Sequence, residues 1–319
     1  ISVYFGSSCE KVYGKSLLQG ERMKIDIYLG DCLDSLKKLE DQSINTCITS
    51  PPYFALRDYG VEGQLGLEET PKEFIDNLVN VFKEVKRVLR DDGTVWLNIG
   101  DSYGNEKHLL GIPWRVAFAM QDDDWILRQD IIWNKPNPMP ESVKDRCTKA
   151  HEYIFLFSKS KKYYFDNEVI KEESVTVNSK GEIGKPNSAK NVGKSVEGID
   201  GFDVRSGFKD MGAYEKKNKR SVWTVATKPF TEAHFATFPK ELILPCVLAG
   251  CPEGGTVLDP FAGSGTTGIV ANHKNRNAIL LELSEDYINI AVKRIRKEVG
   301  TLFLNLNIIR RKDESIKSI

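Results

Sequence analysis

The sequence predicts an α/β protein with a doubly wound, mostly parallel sheet of about seven strands and an inserted region. Three observations predict it. Short apolar runs alternate with stretches of helical periodicity along most of the chain. A glycine-rich loop, Asp259-Pro260-Phe261-Ala262-Gly263-Ser264-Gly265, joins an expected strand to an expected helix. The next expected strand ends at Glu282, about 20 residues beyond the loop, the spacing of a ribose-binding carboxylate in nucleotide-type folds.

Residues 1–22 carry no pattern and are expected to be a peripheral extension. Residues 25–29 alternate like a strand, which Gly30-Asp31 ends. Leu33, Leu36 and Leu39 recur at helical spacing, and 44–49 is an apolar run fit for a buried strand, stopped by Pro51-Pro52. The clearest helix spans 71–89: Phe74, Leu78, Val81, Phe82, Val85 and Leu89 share a face, behind a Thr70-Pro71 start. Asp92-Gly93 is expected to turn into a strand at 94–99. A helix at 112–120 follows, then strands at 126–133 and 152–157 around the proline-rich loop 136–140.

From 166 to 220 the character changes. Glycine, serine, asparagine and lysine are frequent, and apolar periodicity is weak. A stretch of this length inside a compact protein is usually functional or disordered. Order returns at Val222, with a helix at 239–248, a strand at 256–258, a helix at 265–272, a strand at 278–281 and a serine-capped helix at 284–297.

The 319 residues suit one large domain plus an insertion, and 40% hydrophobic content is enough for a sizeable core. No apolar run approaches a membrane span and the start does not resemble a signal peptide, so a soluble cytoplasmic protein is expected. Six cysteines at irregular spacings and four histidines favour reduced thiols and no metal centre. Formal net charge is zero, so any basic surface must be local. Residues 159–220 hold fourteen Lys/Arg against ten Asp/Glu, an excess that a solvated face also explains.

The glycine loop alone is compatible with several ligands. A phosphate-cradling loop needs a Lys after its last glycine, and Thr266-Thr267 stands there. Gly263, Gly265 and Gly268 fit the dinucleotide spacing, but Asp259 and Phe261 suit a cationic, adenosine-bearing ligand better. The second loop, Ser50-Pro51-Pro52-Tyr53, follows a strand directly. Its prolines hold the chain extended and remove two N–H donors, which favours outward carbonyls. Fixed acceptors suit a planar amino group, and Tyr53 offers a face for stacking. A loop that merely ends a strand has the same local pattern.

Together the two loops resemble the SAM-dependent DNA amino-methyltransferases. Ser50-Pro51-Pro52-Tyr53 resembles their catalytic motif, and Asp259 to Gly265 their cofactor motif. The catalytic motif comes first, which resembles the beta-class order. Gly30-Asp31-Cys32, the segment from Trp96 to Tyr103, Trp133-Asn134-Lys135, Val222-Trp223-Thr224 and the segment from His234 to Pro239 also resemble family segments.

The resemblance implies a Rossmann-like methyltransferase fold. It implies S-adenosyl-L-methionine as cofactor, held by Asp31, Cys32, His234, Thr237, Phe238, Asp259, Phe261, Gly263, Ser264, Gly265, Thr266 and Glu282. It implies catalysis by Ser50, Pro51, Pro52 and Tyr53, with Asp101 either on the base edge or serving as a turn aspartate. Residues 23–165 then form the catalytic part, 166–221 the target-recognition region, 222–300 the cofactor-binding part and 301–319 a tail. Double-stranded DNA is the implied partner, with room for a companion restriction endonuclease, no role for a membrane and no implied oligomeric state.

Serine at the first catalytic position resembles enzymes acting on cytosine N4, where adenine enzymes usually have Asp or Asn. Adenine N6 methylation and a non-catalytic DNA-binding relative are the alternatives. A glutamine methyltransferase places its glycine loop first, the reverse of this order. Pro245-Cys246 precedes the glycine loop, unlike the nucleophile of carbon-5 methyltransferases.

Overall fold

The computed structural model of the chain describes residues 23–173, 216–228, 238–300 and 304–310, with two-residue backbone segments at 176–177, 183–184 and 317–318. All seven expected strands form: β1 (Lys24–Leu29), β2 (Ile44–Thr49), β3 (Leu89–Ile99), β4 (Ile126–Asn134), β5 (His151–Ser158), β7 (Thr256–Asp259) and β8 (Asn277–Glu282). Three further strands join them: β6 (Val222–Thr224), β9 (Asn305–Ile309) and β10 (Lys317–Ser318). The additions lie at the two edges of the sheet, whose order is β6-β4-β5-β3-β2-β7-β8-β1-β9-β10. β9, inside the expected tail, pairs in parallel with β1.

β5 runs antiparallel to both β3 and β4, and β10 runs antiparallel to β9. Every other pairing in this ten-stranded sheet is parallel. The Asp92-Gly93 turn expected ahead of β3 is instead an irregularity within it. The register with β2 jumps from Ile44↔Leu89 to Thr46↔Thr94, so the extra residues bulge while the strand continues.

The helices are α1 (Cys32–Leu36), α2 (Pro71–Val88), α3 (Ile112–Asp122), α4 (Lys240–Gly250), α5 (Thr266–His273) and α6 (Glu285–Val299). A capping box starts α2. Thr70 Oγ1 accepts from the Glu73 N–H, the Glu73 carboxylate accepts from the Thr70 N–H, and Pro71 occupies the first turn. Phe74, Leu78, Val81, Phe82, Val85 and Val88 of α2 are buried. They share one core cluster with apolar residues of α1 and α3, and no residue of α4–α6 belongs to it. Crossovers β2-α2-β3 and β7-α5-β8 lead in opposite directions along the sheet, so right-handed connections put the two helix sets on opposite faces.

The chain divides into two compact units, one made of Ile1–Phe165 with Ser221–Ile319 and the other of Asp166–Arg220. In the second, Glu172–Glu173 pairs antiparallel with Lys216–Lys217, and Thr176–Val177 with Ile183–Gly184. Among the described residues no helix is long and apolar enough to cross a membrane.

Candidate active site

Parallel pairing aligns the carboxyl ends of β3, β2, β7, β8 and β1 along one edge, in that order. Asp101, Ser50, Asp259, Glu282 and Asp31 sit at or just past those ends. In open α/β sheets this edge, where the strand order reverses, is where ligands bind. β2 and β7 are direct neighbours, with Thr46 opposite Val257 and Cys47 opposite Leu258. That pairing brings the proline loop and the glycine loop side by side.

Asp259 ties the two loops together. Thr49 Oγ1 and Thr267 Oγ1 each donate to its carboxylate at 2.6 Å, one to each oxygen, and the Phe261 N–H donates at 3.1 Å. The side chain is 1% exposed. Burial pushes its pKa up to about 6, while these hydrogen bonds hold it from rising further. The carboxylate is therefore a brace inside the fold. Ser264 and Thr266 are also sealed in. Arg294 of α6 donates to the Ser264 carbonyl at 2.7 Å, to Ser264 Oγ at 2.5 Å and to Thr266 Oγ1 at 3.1 Å. The structure thus turns these three expected cofactor residues toward the protein.

The surface of the loop is made by others. Gly263 has φ +50° and open space where a Cβ would project. Gly265, at φ +78°, forms the N-cap of α5, and a Cβ there would lie 3.0 Å from Ala291 Cβ. Glu282 accepts from the Gly263 N–H and the Ser284 N–H, both at 2.8 Å, one on each oxygen. Burial raises its pKa, and each oxygen keeps a further lone pair. Asp31 accepts from the Asp34 N–H at 3.0 Å as the cap of α1. Burial, with Asp31 nearby, pushes the Cys32 thiol up to about 12, so it is not a thiolate. Phe261 is half-buried against the core, and Phe238 is half-buried just ahead of α4. His234 and Thr237 lie outside the described residues.

In the proline loop Pro51 is buried, while Ser50, Pro52 and Tyr53 are half-buried. The Tyr53 ring lies against Gly100, where a Cβ would come within 2.6 Å of ring Cε2. Ser50 Oγ donates to the Tyr53 hydroxyl at 3.4 Å, and that hydroxyl donates to Glu152 Oε2 at 2.7 Å. Asn98 Nδ2 donates to the same oxygen at 3.3 Å, and Lys135 pairs with the other oxygen. Lys135 Nζ also sits 4.2 Å from the centre of the Trp133 ring. Burial and the adjacent Glu152 charge raise the Tyr53 pKa well above its ordinary value.

Sequence reasoning assigned no role to Glu152 or Arg294, and Asn98 and Lys135 entered only as parts of motifs. The available signal was a polar or charged residue within an otherwise apolar strand, as at Asn98 and Glu152.

Asp101 is occupied differently. Its Oδ1 accepts from the N–H groups of Ser102 at 2.9 Å and Ile112 at 3.0 Å, and its Oδ2 from Gly111 at 3.1 Å. Of the two roles open to it, the structure displays the turn aspartate, here holding the start of α3. Lys149 Nζ donates to the Asp101 carbonyl at 2.5 Å. Among the described residues no cluster of His, Cys, Asp and Glu is arranged to hold a metal ion.

The family model for N6/N4 DNA methylases, described as DNA methylase, matches residues 44–293 and so spans both loops. The chain belongs to the N6/N4 DNA methylases. The Type II methyltransferase M.Cfr9I of Citrobacter freundii is 43% identical over 312 residues, 89% of this chain and 90% of its own. The Type II methyltransferase M.SmaI of Serratia marcescens is 41% identical over 306 residues, 87% of this chain and 93% of its own. Among solved structures, the cytosine-N4-specific PvuII DNA methyltransferase matches with a TM-score of 0.62 at 19% identity, over 90% of this chain and 98% of that one. At that identity the likeness concerns the fold. The TTHA0409 protein of Thermus thermophilus, complexed with S-adenosyl-L-methionine, matches with a TM-score of 0.59 at 25% identity, over 88% of this chain and 98% of that one.

Proposed function

We propose that this methylase is a Type II DNA methyltransferase that methylates the exocyclic N4 of a cytosine extruded from duplex DNA. The observation that carries it is Ser50 at the carboxyl end of β2, on the strand paired with the one that bears the glycine loop. S-adenosyl-L-methionine is the methyl donor, supported by family membership and by the complex of the TTHA0409 protein. The residues present fit it. Gly263 leaves open space at the loop, and Glu282, its carboxylate fixed by two amides, has lone pairs left for ribose hydroxyls. Asp31 and Phe261 complete the proposed contacts, while Asp259, Ser264 and Thr266 hold the loop in shape. When bound, the donor supplies an electrophilic methyl on a sulfonium centre.

An amino nitrogen on an aromatic ring is a poor nucleophile because its lone pair spreads into the ring. Hydrogen bonds from its protons to Ser50 Oγ and to the Pro51 carbonyl return electron density to nitrogen and set its direction. Ser50 is a weak base, so the surplus proton leaves to water after transfer. Tyr53 is the stacking surface for the base, its ring seated on Gly100 and its hydroxyl anchored by Glu152. A base inside a duplex cannot reach this edge, so it must be flipped out. The unit Asp166–Arg220, inserted between β5 and β6, is assigned target recognition, supported by its standing as a unit of its own beside the sheet-bearing one in the contact division of the chain. A companion restriction endonuclease and a cytoplasmic setting follow from the Type II reading.

Nucleoside mass spectrometry on DNA from a host expressing the chain is the test. N4-methylcytosine is the expected product. N6-methyladenine as the sole product overturns the base assignment and leaves the fold and donor in place.

A further inference from the structure

We propose that Met139 is a wedge that enters the base stack of duplex DNA beside the extruded base. The proposal rests on the base-extrusion reading above. β4 is antiparallel to β5, and β5 is antiparallel to β3, so β4 runs in the direction of β3 and β2. Its carboxyl end therefore opens at the edge that carries Ser50. There the loop of residues 135–150 leaves the sheet and returns as β5.

This loop is pinned at its base and both shoulders. At the base, Lys135 pairs with Glu152, the carboxylate that anchors Tyr53. On one shoulder, Asn137 and Thr227 exchange three hydrogen bonds of 2.9 to 3.2 Å. On the other, the loop is fastened to the segment following β3. Lys149 donates to the Asp101 carbonyl, Asp145 meets Lys107 at 2.5 Å, and Arg146 stacks over the Tyr103 ring at 4.2 Å.

Between the shoulders stand Pro138, Met139 and Pro140. Prolines on both sides restrict the backbone and keep the tip extended. Met139 is 85% exposed, whereas the next most exposed large hydrophobics among the described residues reach 55%. An apolar side chain raised this far from a braced loop has no core to join. Of the four Lys/Arg in residues 135–150, Lys135 and Arg146 are paired with Glu152 and Glu141 and Lys149 is tied to the Asp101 carbonyl, so the exposed Lys144 is the cation offered to a phosphate backbone. Extruding a base leaves a gap in the stack, and proteins that deform DNA fill such gaps with apolar wedges, methionine among them. Methionine is unbranched and polarizable, so it can slide between ring faces.

The test uses two short duplexes carrying the site that modified-base sequencing identifies. In one the methylated base is normally paired, and in the other it is mispaired. A mispaired base is already easier to extrude, so a wedge matters less there. Met139→Ala is expected to lower the methylation rate on the paired duplex about tenfold or more and to stay within about twofold of the native chain on the mispaired one. Met139→Leu should keep most of the activity on both. A Met139→Ala chain matching the native one on the paired duplex overturns the wedge. Equal losses on both duplexes also overturn it, since they mark a structural role. If the native chain binds the two duplexes with equal affinity, base extrusion itself falls and the wedge with it.

Discussion

Ser50 Oγ lies 3.4 Å from the Tyr53 hydroxyl, which is itself committed to Glu152 at 2.7 Å. The serine hydroxyl therefore has weak internal claims and is free to accept from a substrate amino group. Ser50→Ala should slow methyl transfer about a hundredfold, the cost of removing one preorganised group from a polar transition state, with S-adenosyl-L-methionine affinity unchanged. Single-turnover kinetics and calorimetry separate the two quantities. Glu152, which accepts from the Tyr53 hydroxyl, is proposed to act through Tyr53. Glu152→Ala and Tyr53→Phe should each lower kcat, and the double variant should be no slower than the worse single one, because both remove one linkage. Additive losses in that cycle count against the linkage. Glu282→Ala should weaken donor binding by about 1.5–3 kcal/mol, the range for hydrogen bonds to charged groups. An unchanged affinity by calorimetry removes Glu282 from the donor site.

The junction of β2, β7 and α5 depends on one buried carboxylate. Asp259 in the folded chain titrates at about 6, above its ordinary 3.8, so the folded state binds its proton more tightly than the unfolded chain does. Its contribution to stability is accordingly full below about pH 4 and is lost as pH rises through about 6, a change of up to about 3 kcal/mol. Asp259→Asn should flatten this part of the profile. Urea unfolding between pH 4 and 7.5 measures it, and parallel curves for the two chains would show that the burial has no such consequence. At the start of α5, Gly265 combines a positive φ with a close approach to Ala291. Gly265→Ala should cost about 1–2 kcal/mol or more, read from the shift in unfolding midpoint.

Across the chain as a whole, catalysis and target choice are assigned to separate units. The sheet supplies the reacting edge, and Asp166–Arg220 forms a compact unit of its own. With a formal net charge of zero, the protein must attract DNA through local basic surface. Replacing residues 166–220 with a short linker should leave donor binding within about twofold while site selectivity disappears, because the phosphate and base contacts assigned to that unit are lost. Modified-base sequencing of DNA treated with the shortened chain checks this. Retention of the same site with the same selectivity would move recognition to the sheet unit.

The parts of this protein legible in its residues were those encoded locally. Short apolar runs marked the seven strands, glycines and prolines marked the two loops, and Thr70 with Pro71 marked the start of α2. Each depends on a few consecutive residues and on backbone sterics. The two loops together carried the family resemblance, and the order of Ser50 before Gly263 its beta-class arrangement. What needed the fold was every partnership made across the sheet. Nothing near Asp259 in sequence says that Thr49, 210 positions away, takes one of its oxygens. Likewise, nothing near Ser264 points to Arg294, or near Tyr53 to Glu152. These contacts follow from strand order and register, which are properties of long-range pairing. The strands at the two edges of the sheet were missed for the same reason: their two to five residues gain strand identity from the neighbour they pair with.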